Sequence, residues 1–335
     1  MVRIALTFGL ALAAVPALAN DSTAELGAGG LILSRNDAVS MDSEDLFISP
    51  DKVTVDYVFR NTSDKDVNTI VAFPLPEIEA SPYEMPSIPE EGSENFLGFE
   101  VTVDGVAVKP ELEQKAFAVG VDVSEELKAQ SVPLYPYGKT ALAALAKLPQ
   151  QVADDWLARG IIVLDQYDDG SGWKSVRSPY WQLRSTFWWR AAFPAGKPVH
   201  VSHRYKPSVG ATAGLTFFND GKFQGEYDNY KRRYCLDDAL EAAVRKAQKA
   251  NTGSTQLYES RIAYILTTGG NWATGSIGRF KLTVDKLDAR SLVSFCGTGV
   301  KKTGPTTFEM TAEDFVPERD IDILLLNRPE NESGN

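Results

Sequence analysis

Stretches in which every second residue is apolar constrain the fold of this chain most strongly, because that period is typical of a β-strand with one buried face. The pattern occurs twice early in the chain, at Val53, Val55, Tyr57 and Phe59 and then at Val67, Thr69, Val71 and Phe73. The polar residues 61–66 between the two runs favour a turn, since their side chains bond to nearby backbone. We therefore predict an antiparallel pair of strands. It ends at Phe73-Pro-Leu-Pro76, because proline has no N–H to donate to a ladder.

A second pair of alternating runs lies within residues 185–205. Its apolar side carries Phe187, Trp189, Ala191 and Phe193, then Val199, Val201, His203 and Tyr205. Pro194-Ala195-Gly196 suits a three-residue turn, and that loop length pairs Trp189 with Val201 and Arg190 with His200. The outer face of this predicted hairpin then carries Trp188, Arg190, His200, Ser202 and Arg204.

The rest of the chain mixes further strands with a few helices. Asp104-Gly105 separates two short alternating runs, which is the strongest short-range signal for a hairpin. Helical spacing near 124–160 predicts a helical insertion, and acids before bases near 236–250 predict one more helix. We predict a mostly β protein with an antiparallel β-sandwich architecture and short helical insertions. Its predicted parts are an N-terminal β-sandwich domain at 20–210, a C-terminal β-rich segment at 211–327 and a disordered tail at 328–335.

The first residues have the composition of a secretory signal peptide. Arg3 precedes a short apolar run from Ile4 to Val15, and the small residues Ala17 and Ala19 mark a cleavage site before Asn20. The apolar run is shorter than the roughly 20 residues that span a bilayer. We expect no membrane span, and a periplasmic or secreted product after cleavage near Ala19. The net charge of −11 gives no electrostatic reason to bind nucleic acid.

Cys235 and Cys296 are the two cysteines of the chain. In an exported protein such a pair predicts a disulfide, and two cysteines are too few for a structural zinc site. Closing the loop between them stabilises the fold by about 4 kcal/mol in the chain-entropy model.

The residues needed for common catalytic chemistry are sparse. Ser49 and Lys52 match the Ser-x-x-Lys of penicillin-recognising enzymes, but that serine must begin a helix, and here a proline and a strand follow it. The two histidines, His200 and His203, point to opposite faces of one predicted strand and cannot share a metal. His203 is predicted to be a histidine at the edge of the core. We predict no metal site and no cofactor.

The outer face of the second predicted hairpin is the candidate binding surface. An exposed Trp188 beside Arg190 and Arg204, with His200, suits an anionic or sugar ligand held by stacking and bidentate hydrogen bonds. The alternative is that a second layer, such as the helical insertion, covers Trp188.

Blocks of sequence along nearly the whole mature chain resemble a known family. They are Asn20–Leu26, Gly29–Leu31, Ser43–Ser49, Tyr57–Asn61, Val71–Pro76, Phe193–Gly196, His203–Tyr205, Val209-Gly210, Tyr264–Thr268, Asn271-Trp272 and Phe315–Pro317. They look like the blocks of an exported proteobacterial family, domain-of-unknown-function family 4424. The resemblance implies an exported bacterial protein and brings no activity or site residues. A weaker likeness, over the first third, is to the vault and inter-alpha-trypsin module, a β-sandwich used for protein contacts.

Three hypotheses about function stay open at this point, and one of them is a stress-related ligand-binding protein that uses the Trp188 face. The leading hypothesis is a non-enzymatic periplasmic β-sandwich that binds an unidentified periplasmic protein or envelope component. The alternative is a carbohydrate-active or other cell-envelope hydrolase, which would use paired carboxylates. A deep pocket lined by two or more carboxylates with shifted pKa values would favour the alternative.

Overall fold

The computed structural model describes residues 20–27, 30–82, 88–90, 93–249 and 257–329. The predicted signal peptide, and the predicted tail beyond residue 329, lie outside the described residues. The described strands, in chain order, are β1 (Ser22–Gly27), β2 (Gly30–Ser34), β3 (Val39–Ile48), β4 (Val53–Asn61), β5 (Val67–Pro74), β6 (Ile78–Glu79), β7 (Glu100–Val103), β8 (Val106–Val108), β9 (Glu111–Ala118), β10 (Val121–Asp122), β11 (Ile162–Asp168), β12 (Trp173–Pro179), β13 (Gln182–Phe193), β14 (Pro198–Tyr205), β15 (Gly210–Ala211), β16 (Phe218–Asn219), β17 (Lys222–Phe223), β18 (Tyr258–Tyr264), β19 (Ile277–Asp285), β20 (Leu292–Phe295), β21 (Lys301–Lys302), β22 (Thr307–Phe315) and β23 (Ile321–Asn327). The described helices are α1 (Ser124–Ala129), α2 (Lys139–Ala146), α3 (Gln150–Ala158), α4 (Tyr227–Arg233), α5 (Asp238–Lys249) and a 3-10 helix at Thr267–Asn271.

Two large sheets share one core. The first sheet has seven strands, in the order β10-β9-β13-β5-β1-β2 with β6 beside β13. The second has eight, in the order β21-β22-β19-β3-β4-β14-β7-β8. Among the pairings of described strands, only that of β3 with β19 is parallel. The predicted mostly β, antiparallel sandwich with short helices is confirmed.

The core between these sheets uses the inward faces that the alternating pattern predicts. Tyr57 and Phe59 of β4 lie in the same buried cluster as Phe187 and Trp189 of β13. Burying side chains of this size stabilises the fold by roughly 1.5–3 kcal/mol each. The period of two therefore identified the buried side of each strand correctly.

The strand pairing predicted for the two long hairpins is wrong. β4 lies in the second sheet and β5 in the first, and likewise β14 lies in the second and β13 in the first. Trp189 is paired with Val71 rather than Val201, and His200 is paired with Val58 rather than Arg190. An alternating pattern fixes which side of a strand is buried. It does not decide whether the next strand lies beside it or across the core.

The connection from β4 to β5 and the connection from β13 to β14 each pass from one sheet to the other at one end of the sandwich. Asn61 bonds to both connections. Its side-chain amide donates to the backbone carbonyl oxygens of Lys65 and Phe193, at 2.7 Å each. The backbone N–H of Gly196 donates to the Asn61 carbonyl at 3.0 Å. The buried Asn61 thus bonds to the backbone of both connections. This favours two connections that pass side by side between the sheets over two separate hairpins.

The short hairpin predicted at Asp104-Gly105 is confirmed. β7 pairs with β8, and Val103 lies opposite Val106. Asp104 has φ 48° and Gly105 has φ 75°, the left-handed backbone that a two-residue type I′ turn requires at both positions.

The helices α1, α2 and α3 fall within the stretch predicted to be helical and pack on a core of their own. Trp156 of α3 and Trp181, directly before β13, are buried there. The indole N–H of Trp181 donates to the Leu134 carbonyl at 2.7 Å. This layer covers the β9 and β11–β12 side of the molecule rather than the centre of the first sheet.

The C-terminal part adds a four-stranded sheet, in the order β15-β18-β23-β20, packed against α4 and α5. The predicted disulfide between Cys235 and Cys296 is confirmed and joins the segment before α5 to the end of β20. The boundary near residue 210 stays a prediction, and β19 and β22 from beyond it extend the second sheet of the sandwich. Within the described ranges, no helix has the length and apolar content needed to cross a bilayer.

Candidate functional site

The structure divides the predicted binding surface between two sheets. Trp188 and Arg190 lie on the outer face of β13 in the first sheet, whereas His200 and Arg204 lie on the outer face of β14 in the second. The predicted cluster of these four side chains is therefore wrong, because it depended on a hairpin that does not form. Whether any of the four residues contacts a ligand stays a prediction.

Each member of the predicted surface has its own surroundings. Trp188 is half-buried and, like Leu31 and Leu33 of the β1–β2 hairpin, packs against a small cluster that includes Ala24 of β1. The layer that covers it is thus this hairpin and not the helical insertion. Arg190 is exposed in a shallow groove, and the Arg204 guanidinium pairs with Glu100 at 2.5 Å on the surface.

A cleft of about 400 Å³ lies where the sandwich meets the C-terminal sheet. Its walls come from strands and loops of both parts and from the end of α4, so no single stretch of sequence marks it. The residues that line it include Glu77, Ile78, Glu79, Phe96, Leu97, Tyr205, Arg233, Tyr234, Arg261, Ile262 and Asp322. We refer to these residues as the junction cleft.

The junction cleft combines aromatic walls with charges of both signs. Arg233 donates two hydrogen bonds to Asp322, at 2.8 and 2.9 Å. Glu77 pairs with Arg184 at 2.7 Å. Burial raises the pKa of Tyr234 to about 12, so its hydroxyl stays protonated at neutral pH. These charges are neutralised within the protein.

Arg261 differs from Arg233, the other arginine of the cleft. Among the described residues no carboxylate lies within 4.0 Å of its guanidinium, which donates instead to the Tyr230 hydroxyl at 3.0 Å. Tyr230 in turn donates to the buried Glu259 carboxylate at 2.8 Å. The backbone N–H of Thr216 also donates to Glu259, at 2.6 Å. This chain of bonds orients Arg261 and leaves donors of its planar fork available to a ligand anion.

A second group of ionisable side chains lies in the centre of the sandwich. Asp21, Glu44 and His203 are buried there, with the His203 Nε2 atom 3.5 Å from an Asp21 carboxylate oxygen. Burial raises the pKa of Glu44 to about 8 and raises that of Asp21, while it lowers that of His203 to about 3. His203 was predicted to lie at the edge of the core, and the structure places it inside the core.

Sequence reasoning missed this buried group, although one signal was present. Glu44 precedes Leu46 and Ile48 at steps of two and therefore shares their inward face on β3. Asp21 offers no such signal, because it precedes β1. In the described part of the chain, no three His, Cys, Asp or Glu residues are arranged to hold a metal ion.

The fold and the cleft define a class, that of β-sandwich proteins with an added C-terminal sheet and a cleft where the two join. The model of the family described as "Domain of unknown function (DUF4424)" matches residues 19–324. The chain belongs to that family. No curated protein matches the chain.

Solved structures of low similarity were also found. A "putative nutrient binding protein" from Legionella pneumophila has 15% identity and a TM-score of 0.42, over 92% of this chain and 70% of that chain. A mutant M1 zinc metallopeptidase from Deinococcus radiodurans, bound to a Tyr-Ser-Ala substrate, has 8% identity and a TM-score of 0.23, over 88% of this chain and 44% of that chain. Likenesses this weak carry no argument about function.

Proposed function

We propose that this protein is exported, is cleaved near Ala19 and acts in the periplasm or outside the cell as a non-enzymatic binding protein. Its site is the junction cleft, and its ligand is a small molecule with a carboxylate or phosphate group. A disulfide in the fold supports an oxidising compartment.

The observation that carries this proposal is that Arg261 lies in the cleft without a carboxylate partner among the described residues. Arg261 lines a cleft of about 400 Å³, a volume within the range of small-molecule sites. A guanidinium without a carboxylate partner in the described residues matches the planar, bidentate geometry of carboxylate and phosphate. The other arginine of the cleft, Arg233, is already bonded to Asp322.

The distribution of carboxylates supports binding over hydrolysis. The two carboxylates with raised pKa values, Asp21 and Glu44, are completely buried, and neither lines the junction cleft. A hydrolase of the alternative class needs its acid and its base beside a substrate. Of the three cleft carboxylates, Glu77 and Asp322 pair with arginines, and Glu79 accepts a hydrogen bond from Gln182 at 3.4 Å.

A thermal-shift panel tests this function. The mature protein is heated with dicarboxylates, acidic amino acids, sugar phosphates and uncharged sugars, beside Arg261→Gln and the surface control Arg204→Gln. We expect an anionic compound to raise the Tm of the wild type and of Arg204→Gln but not of Arg261→Gln. The absence of any shift, or a shift that survives Arg261→Gln, contradicts the proposal. Turnover of a peptidoglycan or glycan substrate that is lost with Glu77→Gln would establish the hydrolase instead.

A further inference from the structure

The residues directly after the predicted cleavage site are buried in the centre of the sandwich. Asn20, Asp21 and Ser22 are each 0% exposed. Chain ends usually lie at the surface, where their charge is solvated. A polar run in this position is costly unless each of its groups finds a partner inside the protein.

Two carboxylates in this region lack a cation. Both side-chain oxygens of Asp21 are buried without a hydrogen-bond partner in the described residues. Glu44 accepts only neutral donors there, the Asn20 side-chain amide at 3.1 Å and the Tyr264 hydroxyl at 3.3 Å. No lysine or arginine of the described ranges pairs with either acid. His203 faces Asp21, but both of its ring nitrogens also lack partners.

The backbone nitrogen of Asn20 lies in the same polar cluster. It donates to the hydroxyl of Thr268, which donates back to the Asn20 carbonyl at 2.7 Å. The Asn20 side chain contacts Glu44, and Asp21 is the next residue. In the uncut chain this nitrogen is an amide with one N–H and no charge. As a chain terminus it becomes an ammonium with three donors and one positive charge.

We propose that cleavage between Ala19 and Asn20 supplies the missing cation, so that the new α-ammonium of Asn20 becomes the buried counter-ion of Asp21 and Glu44. Hydrolysis of that bond consumes one water and leaves a carboxylate on Ala19 and an ammonium on Asn20. The inference rests on the export and cleavage in the proposed function and not on ligand binding. Cleavage between Ala19 and Asn20 then adds a positive charge to the core and also separates the chain from its signal peptide.

The pH dependence of stability distinguishes the two forms of the chain. With an amide at residue 20, burial holds the pKa of Glu44 at about 8, so the folded state binds more protons than the unfolded state up to that pH. Its free energy of unfolding must then fall as the pH rises toward 8. A nearby ammonium lowers the carboxyl pKa values and so reduces this fall.

The other titratable groups that face the cluster do not interfere between pH 6.5 and 8. Burial raises the pKa values of Tyr57 and Tyr264 well above their ordinary values, so both stay protonated. Burial lowers the pKa of His203 to about 3, and its contribution therefore changes only below its ordinary value of 6.5. In the uncut chain, the slope in this window therefore reports on Asp21 and Glu44. In the cut chain the Asn20 α-amine, with an ordinary pKa of about 7.7–8.0, titrates there as well.

The experiment compares one chain before and after a cut. A short soluble extension is fused ahead of Asn20 through a protease site that leaves Asn20 as the first residue. Urea unfolding is then measured between pH 6.5 and 8. We expect the uncut chain to lose stability through this window, and the cut chain to keep a flatter profile and a higher Tm at pH 8. Identical profiles for the two chains would overturn the proposal.

A matched variant separates charge from steric strain. In the double variant Asp21→Asn with Glu44→Gln, we expect cutting to give no gain in stability at pH 8, whereas a purely steric effect of the extension would persist. If this variant does not fold, the α-amine of the cut wild type is labelled with an acylating reagent at pH 8. Slow labelling supports a buried ammonium, and labelling at the rate of a free peptide overturns it. An exported protein that begins at another residue contradicts the cleavage premise, independently of the cleft.

Discussion

At the scale of single residues, the ionisable groups in the core determine how stability changes with pH. His203 is enclosed by the rings of Phe73, Phe99 and Trp189 and is neutral when folded. Its pKa is lowered from the ordinary 6.5 to about 3, so between these values the unfolded state binds a proton that the folded state does not bind. Its contribution to stability is present above pH 6.5 and is lost as the pH falls toward 3.

The substitution His203→Phe tests this assignment. It removes the proton-binding group and keeps an aromatic ring of similar size, so we expect the loss of stability below pH 6.5 to become shallower, by up to about 1.4 kcal/mol per pH unit. Urea unfolding at several pH values between 4 and 7 measures the slope. The control His200→Phe changes the exposed histidine of the same strand. Equal slopes for His203→Phe and the wild type would contradict the assignment.

Single residues also show what sequence can predict. The inward position of Glu44 follows from its spacing to Leu46, since a period of two needs no knowledge of the partner strand. The position of Asp21 and the orientation of Arg261 do not follow in this way. Both depend on contacts between residues far apart in the chain, on strands that meet only after folding.

At the scale of elements, the β1–β2 hairpin forms one edge of the first sheet, and a small apolar cluster that includes Trp188 packs its side chains onto the neighbouring strands. We expect Trp188→Ala to lower the free energy of unfolding by about 2 kcal/mol, roughly half the cost for a fully buried tryptophan. The control is Trp173→Ala, where the side chain is 78% exposed and the expected change is within about 0.5 kcal/mol. Equal effects of the two substitutions would show that Trp188 does not hold the hairpin.

The disulfide also stabilises the fold at the scale of elements. It closes a loop with a sequence separation of 61 between Cys235 and Cys296. Replacing both cysteines with serine should lower the free energy of unfolding by about 4 kcal/mol in the chain-entropy model. Urea unfolding with and without reductant measures this. The reduced wild type should match the double variant, and a reductant that leaves the wild type unchanged would contradict the structural role.

Strand pairing was harder to predict than strand position. The alternating runs identified the buried faces of β4, β5, β13 and β14, but both long pairs cross the core instead of forming hairpins. At Asp104-Gly105 the pairing was predictable, because a two-residue left-handed turn forces adjacent strands. The longer connections carry no such constraint, and Asn61 joins them through contacts with Phe193 and Gly196, which are distant in the sequence.

At the scale of the whole molecule, the sandwich and the C-terminal sheet meet and create the junction cleft. Its residues come from separate regions of the chain, between Pro76 and Asp322, and no local motif connects them. This explains why sequence reasoning placed the candidate surface on one hairpin. The charge balance of the cleft follows only from the folded structure, in which Arg233 pairs with Asp322 and Arg261 has no carboxylate partner among the described residues.

The most direct test of the binding function is calorimetric titration of the best anionic compound from the thermal-shift panel into the wild type, Arg261→Gln and Arg204→Gln. Loss of a charged bidentate contact costs about 1.5–3 kcal/mol, so we expect Arg261→Gln to raise the Kd by about tenfold to a hundredfold. Arg204→Gln should bind like the wild type. A Kd that is unchanged in Arg261→Gln, or one that rises only in Arg204→Gln, would contradict the assignment of the ligand site to the junction cleft.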